Sequence, residues 1–126
     1  MTRLVPQYRR LPATTIAFLS GNLLATANGS TVDIYDVRLK TLVGSCNVFD
    51  SVRIHGIVAR LDNADSRCIE VLVFGSKQWT VIRIHLDNAR VEPGTVFYVD
   101  DWIKAGHWVQ DDKQAWKVAL ALAHNQ

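Results

Sequence analysis

A turn followed by a strand is encoded in residues 28–35, which have the sequence NGSTVDIY. Asn-Gly is the strongest short-range signal for a β-hairpin, because both residues tolerate the positive φ of its turn. The residues after the turn alternate between apolar and polar side chains, as in a strand with one buried face. A related stretch, QWTVIRI, occupies residues 78–84, and Thr31 and Thr80 hold equivalent places in the two copies. The sequence therefore predicts a repeat with a spacing of 49 residues.

Short β-branched and aromatic runs, separated by turn residues, extend in both directions from these two copies. The predicted strands are residues 14–19, 23–27, 31–35, 41–49, 54–61, 68–74, 79–85 and 95–99. The run at 68–74 is almost continuously apolar, which is typical of a strand that is buried on both faces. Groups of four short strands that recur every 40–50 residues or so are typical of propeller blades.

The repeat predicts an all-β fold, a partial WD40-type β-propeller with about two and a half four-stranded antiparallel blades. Four segments follow from it: an N-terminal arm at 1–13, a first blade at 14–50, a second blade at 51–100, and the start of a truncated third blade at 101–126. Incomplete blade stacks expose strand edges and apolar faces, so self-association or marginal stability of the isolated chain is expected.

The tail of the chain leaves two interpretations open. Residues 112–124 are rich in strong helix formers, which favours a helix. Trp116, Val118, Leu120 and Leu122 nevertheless alternate with lysine and alanine, and this period of two is that of a strand. The residues alone do not decide between helix and strand here.

The amino-acid composition limits the classes of function that the chain can have. The chain has 126 residues, of which 48% are hydrophobic and 21% charged, and its net charge is +2, so it has the balance of a globular protein. The small charge and the absence of a long basic run argue against a nucleic-acid module that works by bulk electrostatics. No stretch of about 20 apolar residues could form a membrane-spanning helix. Two cysteines without a CxxC pair indicate a reducing compartment, and a cytoplasmic location is expected.

The N-terminal residues allow a second interpretation. Arg3, Arg9 and Arg10 precede a mildly apolar stretch, and no acidic residue occurs before Asp33, as in a transit peptide. The turn residues at 20–22 interrupt that apolar stretch, which disfavours a cleaved targeting signal.

Residues with catalytic or ligand chemistry form no recognisable active-site pattern. His55, His85, His107 and His124 lack the spacing of zinc ligands, so neither a metal nor a cofactor is expected. The acidic pairs at 100–101 and 111–112 are adjacent residues, which point to opposite faces of a strand. No GxSxG, P-loop or GxGxxG motif occurs, and the chain is not expected to be an enzyme.

Several short motifs occur in the same order and spacing as in a known family. They are VDIYD at 32–36, IHG at 54–56, VFGSK at 73–77, DWI at 101–103 and LALAHN at 120–125. The ordered set resembles the N-terminal blades of the WD repeat-containing protein 6 family. The resemblance implies a β-propeller, places the tail in a strand, and implies a whole protein several times longer than this chain. The chain departs from the generic repeat, since Tyr35-Asp36 stands where Trp-Asp is usual and Arg83-Ile84-His85 replaces that dipeptide in the second unit.

The family resemblance also implies a function without chemistry of its own. Such a protein is an adaptor that pairs with a tRNA ribose 2′-O-methyltransferase and supports methylation of the anticodon wobble nucleotide. The methyl donor binds to the partner enzyme, and tRNA is contacted through the complex. The motif residues are then structural: His55, Gly56, Gly75, Ser76, Asp101, Trp102, His124 and Asn125. The alternative is a generic propeller scaffold for protein partners that has no role with RNA.

Two lysines are the candidates for contact with RNA or a partner. Lys77 is predicted in a tight turn, and Lys104 follows the Asp-Trp-Ile motif. Basic groups among tryptophans can neutralise phosphates while the rings stack on bases. Most of the four tryptophans are expected to fill the space between blades instead, because large aromatic side chains are usually buried.

Overall fold

The computed structural model describes residues 15–20, 22–60 and 67–124, and eleven β-strands lie in these ranges. The arm at 1–13 with its targeting alternative, and Asn125, lie outside the described residues. No helix in the described part of the chain has the length and apolar character needed to cross a membrane.

The strands form three antiparallel sheets in chain order. The first sheet has the order β1-β2-β3-β4, with β1 at Ile16–Ser20, β2 at Leu23–Asn28, β3 at Thr31–Asp36 and β4 at Thr41–Asn47. The second sheet contains β5 at Gly56–Arg60, β6 at Cys68–Phe74, β7 at Gln78–His85, β8 at Val91–Glu92 and β9 at Phe97–Tyr98. The third sheet is a hairpin of β10 at Ile103–Gln110 and β11 at Trp116–Leu122. The all-β expectation is confirmed.

The outer edge of the second sheet is formed by two short strands, whereas the sequence predicted a single strand at 95–99. Two short strands share the free edge of β7, since β8 pairs with Arg83 and Ile84 while β9 pairs with Gln78 and Trp79. Pro93 and Gly94 lie between the two strands, and a Cβ on Gly94 would collide with the carbonyl oxygen of Val81. Proline cannot donate to a ladder, and the backbone passes too close for a side chain, so the pairing is interrupted there.

The second sheet is covered on both faces, as the apolar run at 68–74 predicted. Its side towards the first sheet forms the larger core, where Val32, Ile34, Val71, Ile82 and Ile84 are fully buried. Its opposite side forms a smaller core with the third sheet, centred on Leu72, Phe74 and Ile103. Alternate residues of β6 therefore face different sheets, which explains why the run lacks a polar face.

The tail is a strand, as the family resemblance implied. Trp116, Val118, Leu120 and Leu122 are half-buried, whereas the lysine and alanine residues between them are exposed. Backbone pairing of β11 with β10 and burial of one apolar face outweigh the helix propensity of the alanines.

Candidate interaction surface

The motif residues meet at one end of the second and third sheets. His55 and Gly56 lie at the start of β5, and Ser76 and Lys77 lie in the β6–β7 turn with Gly75. Asp101 and Trp102 come directly before β10, whereas His124 comes directly after β11. Segments separated by up to 69 residues in sequence are thus brought to one place.

Backbone hydrogen bonds hold these segments together. The His55 N–H donates to the Phe74 carbonyl at 2.8 Å, and the Ile103 N–H donates to the Ser76 carbonyl at 2.7 Å. The Ala123 N–H donates to the Trp102 carbonyl at 2.8 Å, which closes the base of the third sheet. The β6–β7 turn is therefore an anchoring point between the second and third sheets.

The carboxylate of Asp101 adds further hydrogen bonds at the same end of the third sheet. It accepts hydrogen bonds from the Trp102 N–H at 2.7 Å, the His124 N–H at 2.7 Å and the His124 Nδ1 at 3.0 Å. These bonds, led by that from the His124 side chain, lower the pKa of Asp101 to about 2. Asp101 of the Asp-Trp motif and His124 of the distant His-Asn motif are thus joined by hydrogen bonds, and we call this pair the clasp.

An acid-stability experiment can test this clasp. The folded chain lowers the pKa of Asp101 from an ordinary 3.8 to about 2, so its contribution to stability is present above pH 4 and is lost as the pH falls towards 2. We expect the melting temperature of the Asp101→Asn variant to lie below that of the parent at pH 5, and this gap to close by pH 2. Asp100→Asn, at the neighbouring exposed carboxylate, is the matched control. Equal behaviour of the two variants would contradict the role of the clasp.

Exposed aromatic and basic groups surround this end of the sheets. Trp102 is 49% exposed and Tyr98 is 73% exposed, and Lys77 and Lys104 are also exposed. The Val99 N–H bonds to the Lys77 carbonyl at 2.9 Å, and Tyr98 pairs with Gln78, so Tyr98 lies beside the turn. We name the group of Lys77, Tyr98, Trp102 and Lys104 the aromatic–basic surface.

One backbone hydrogen bond joins the two segments that carry the lysines. The hydrogen bond from Ile103 to Ser76 leaves Lys104 and Lys77 each one residue away from it along the chain. The imidazole of His55 packs on Trp102 with ring centroids 5.9 Å apart, which fixes the indole at the rim of the surface. Trp102 thus differs from Trp79 and Trp108, which pack into the smaller core as expected for most of the tryptophans.

Two side-chain clusters could not be recognised from the sequence. In the first, the Arg60 guanidinium lies 5.5 Å from the Trp108 ring centroid and 5.4 Å from that of Trp116, and it forms an ion pair with Glu70. The second cluster, Cys68, His85 and Glu92, lies at the opposite end of the second sheet from the aromatic–basic surface. Among the described residues, no group of three or more His, Cys, Asp or Glu side chains is arranged to hold a metal ion.

Comparison with known proteins bears on the fold alone. No family model matches the chain, and no curated protein matches it either. A solved structure of similar fold is a chain of the complex of the fission yeast SREBP-SCAP binding domains, with a TM-score of 0.57 at 15% identity. The match covers 94% of this chain but 39% of the solved one, so this chain spans about two fifths of the length of the structure that it resembles.

Proposed function

We propose that the chain is a segment of a WD40-type β-propeller that serves as a non-catalytic interaction scaffold. The observation that carries this proposal is the way in which its sheets stack. The inner strand β1 packs next to β5, which in turn packs next to β10, and the outer strands β4 and β8 are also neighbours. Successive sheets with the same strand order and the same orientation are the arrangement of propeller blades around a central channel.

The solved neighbour supports the same proposal. Similarity of fold extends over nearly the whole chain, and that neighbour belongs to a complex of binding domains. Propellers and other repeat folds present extended surfaces to partners, and each unit needs its neighbours for stability. Exposed Ile16, Phe18 and Leu42 on the outer face of the first sheet agree with the expected self-association of the isolated chain, which stays a prediction.

The narrower proposal is an adaptor for a tRNA ribose 2′-O-methyltransferase that acts in the cytoplasm at the anticodon wobble nucleotide. Its support is the ordered set of motifs, together with the aromatic–basic surface that those motif residues build. Lysine ammonium groups attract phosphates, and exposed indole and phenol rings stack on unpaired bases. The scaffold would hold an enzyme and its folded RNA in register, which lowers the entropic cost of bringing them together.

Deletion of the gene that encodes this chain tests the adaptor proposal. We expect loss of 2′-O-methylation at the wobble nucleotide, measured by mapping of ribose methylation in purified tRNA, and co-purification of the tagged protein with a ribose methyltransferase. Unchanged methylation in the deletion strain would reject the adaptor role. Stable association with protein partners in that case would favour the generic scaffold, which the small net charge of +2 already makes a real alternative.

Rescue of the deletion strain tests the aromatic–basic surface itself. We expect the double variant Lys77→Glu, Lys104→Glu to restore wobble methylation about tenfold less well than the wild type, because each reversal replaces attraction to phosphate with repulsion. Lys113→Glu is the matched control, since this exposed lysine lies in the β10–β11 turn at the far end of the third sheet. Equal rescue by both variants at equal protein abundance would show that the surface does not contact the RNA or the enzyme.

A further inference from the structure

Three neighbouring strands bring a thiol, an imidazole and a carboxylate into line at one end of the second sheet. Cys68 is the first residue of β6, and its partner in the antiparallel register is His85, the last residue of β7. The Cys68 Sγ lies 3.3 Å from the Nδ1 of His85. The Nε2 on the other side of the same ring lies 2.6 Å from the Oε2 of Glu92 on β8.

The contact with Glu92 fixes where the imidazole carries its proton. A carboxylate only accepts, so the short contact requires a proton on Nε2. The hydrogen bond from His85 holds the pKa of Glu92 below its usual range, which keeps this carboxylate charged. Arg90 donates to the same oxygen at 3.2 Å and fixes its position. The Nδ1 of His85 is then left to accept the proton of the Cys68 thiol.

Charged side chains lie around the Cys68–His85–Glu92 cluster. After the hydrogen bond from His85, the charges of Arg90 and Arg83 also help to lower the pKa of Glu92. The carboxylate nearest to Cys68 along β6 is Glu70, which is paired with Arg60. Transfer of the thiol proton to His85 leaves the thiolate beside an imidazolium, which stabilises it, and the thiolate is the nucleophilic form of cysteine.

We propose that Cys68 is a nucleophilic thiol and a site of modification by hydroperoxides. His85 takes the proton from the thiol, and Glu92 orients the His85 ring. The sulfur attacks one oxygen of the peroxide, so that an S–O bond forms while the O–O bond breaks. The proton held by His85 passes to the departing hydroxide. The products are a cysteine sulfenic acid and water when hydrogen peroxide is the oxidant, the sulfur being oxidised and the peroxide reduced.

The burial of Cys68 determines which reagents can reach it. The residue is 5% exposed, so a small oxidant is favoured over a bulky one. Its position at the first residue of a strand places it where local opening of a sheet costs least free energy. Cys46 offers an internal reference, because burial raises the pKa of its thiol and its sulfur donates a hydrogen bond to the Asn47 carbonyl at 3.8 Å.

The test follows sulfenic acid formation in the full 126-residue chain, since Cys46 and Cys68 are its two cysteines. The Cys46→Ser and Cys68→Ser variants are treated with hydrogen peroxide, and the sulfenic acid is trapped with dimedone and measured by mass spectrometry. We expect Cys68 in the Cys46→Ser chain to react about tenfold faster at pH 7 than Cys46 in the Cys68→Ser chain. A slower reaction of Cys68 than of Cys46 would overturn the proposal.

Two further variants separate a role for His85 from simple accessibility. In the Cys46→Ser background, His85→Gln and Glu92→Gln should each slow the reaction, and His85→Gln should also make its rate rise steeply from pH 6 to pH 9, as for an ordinary thiol. Glu70→Gln is the matched carboxylate control and should leave the rate unchanged. Circular dichroism shows whether either variant unfolds. If one does, the reaction rate of the other variant tests the proposal. Rates equal to the parent in the folded variants would overturn the proposal, because the reactivity of Cys68 would then depend on accessibility and not on His85 or Glu92.

Discussion

Replacement of Gly56 with alanine is expected to destabilise the chain by about 2–3 kcal/mol, which is the effect of overpacking a filled core. The methyl group would stand 2.6 Å from the Cε2 of Phe74 and still closer to the tip of the same ring. The same ring also lies close to the backbone of Gly106 on β10, where an added Cβ would meet it at 3.2 Å. Phe74 thus fills a slot between the backbones of the second and third sheets.

Chemical denaturation measures this effect, and a double-mutant cycle assigns it. The smaller side chain of Phe74→Leu should itself reduce the free energy of unfolding, yet it should make room for the new methyl group. The cost of Gly56→Ala in the Phe74→Leu background should therefore be smaller than in the parent by about 1 kcal/mol or more. Additive effects of the two substitutions would show that the ring and the glycine are not in contact.

The strands could be predicted because their signals are local. The Asn-Gly turn, the β-branched runs and the period of two placed most strands within a few residues of their observed bounds. Local signals were insufficient in two places. The tail at 112–124 needed the knowledge that β11 pairs with β10, and the division of the outer strand into β8 and β9 depends on how closely Gly94 approaches β7. Both are facts of tertiary packing.

For the candidate site too, local motifs could be predicted from the sequence and tertiary contacts could not. Each motif around His55, Ser76, Asp101 or His124 could be found in the sequence, but nothing local indicated that the Asp101 carboxylate accepts from the backbone and side chain of His124, 23 residues away. The Cys68–His85–Glu92 cluster has no signal in the sequence for a related reason. These side chains show no ligand or catalytic spacing along the chain, because they become neighbours only through the register of three strands.

Truncation of Arg60 is the other substitution for which a large loss of stability is expected. Its guanidinium lies over the rings of Trp108 and Trp116 and donates from Nε to Glu70 at 3.1 Å, and the side chain is 12% exposed. Arg60→Ala would leave the Glu70 carboxylate without this partner and open a gap between two indoles. Because Glu70 remains 32% exposed, water compensates in part, and we expect a loss of about 2 kcal/mol in the free energy of unfolding.

Two matched substitutions distinguish stacking from charge at this position. Arg60→Lys retains the positive charge but not the flat guanidinium that packs on both rings, so it should recover less than half of the loss. Arg83→Ala removes an exposed arginine that is paired with Glu70 in the register of β6 and β7, and it should cost under about 0.5 kcal/mol. A cost for Arg60→Ala no greater than that for Arg83→Ala would mean that Arg60 does not help to hold the third sheet on the second. The expected difference would make Arg60 a polar link between the two sheets, beside the hydrogen bond from Ile103 to Ser76.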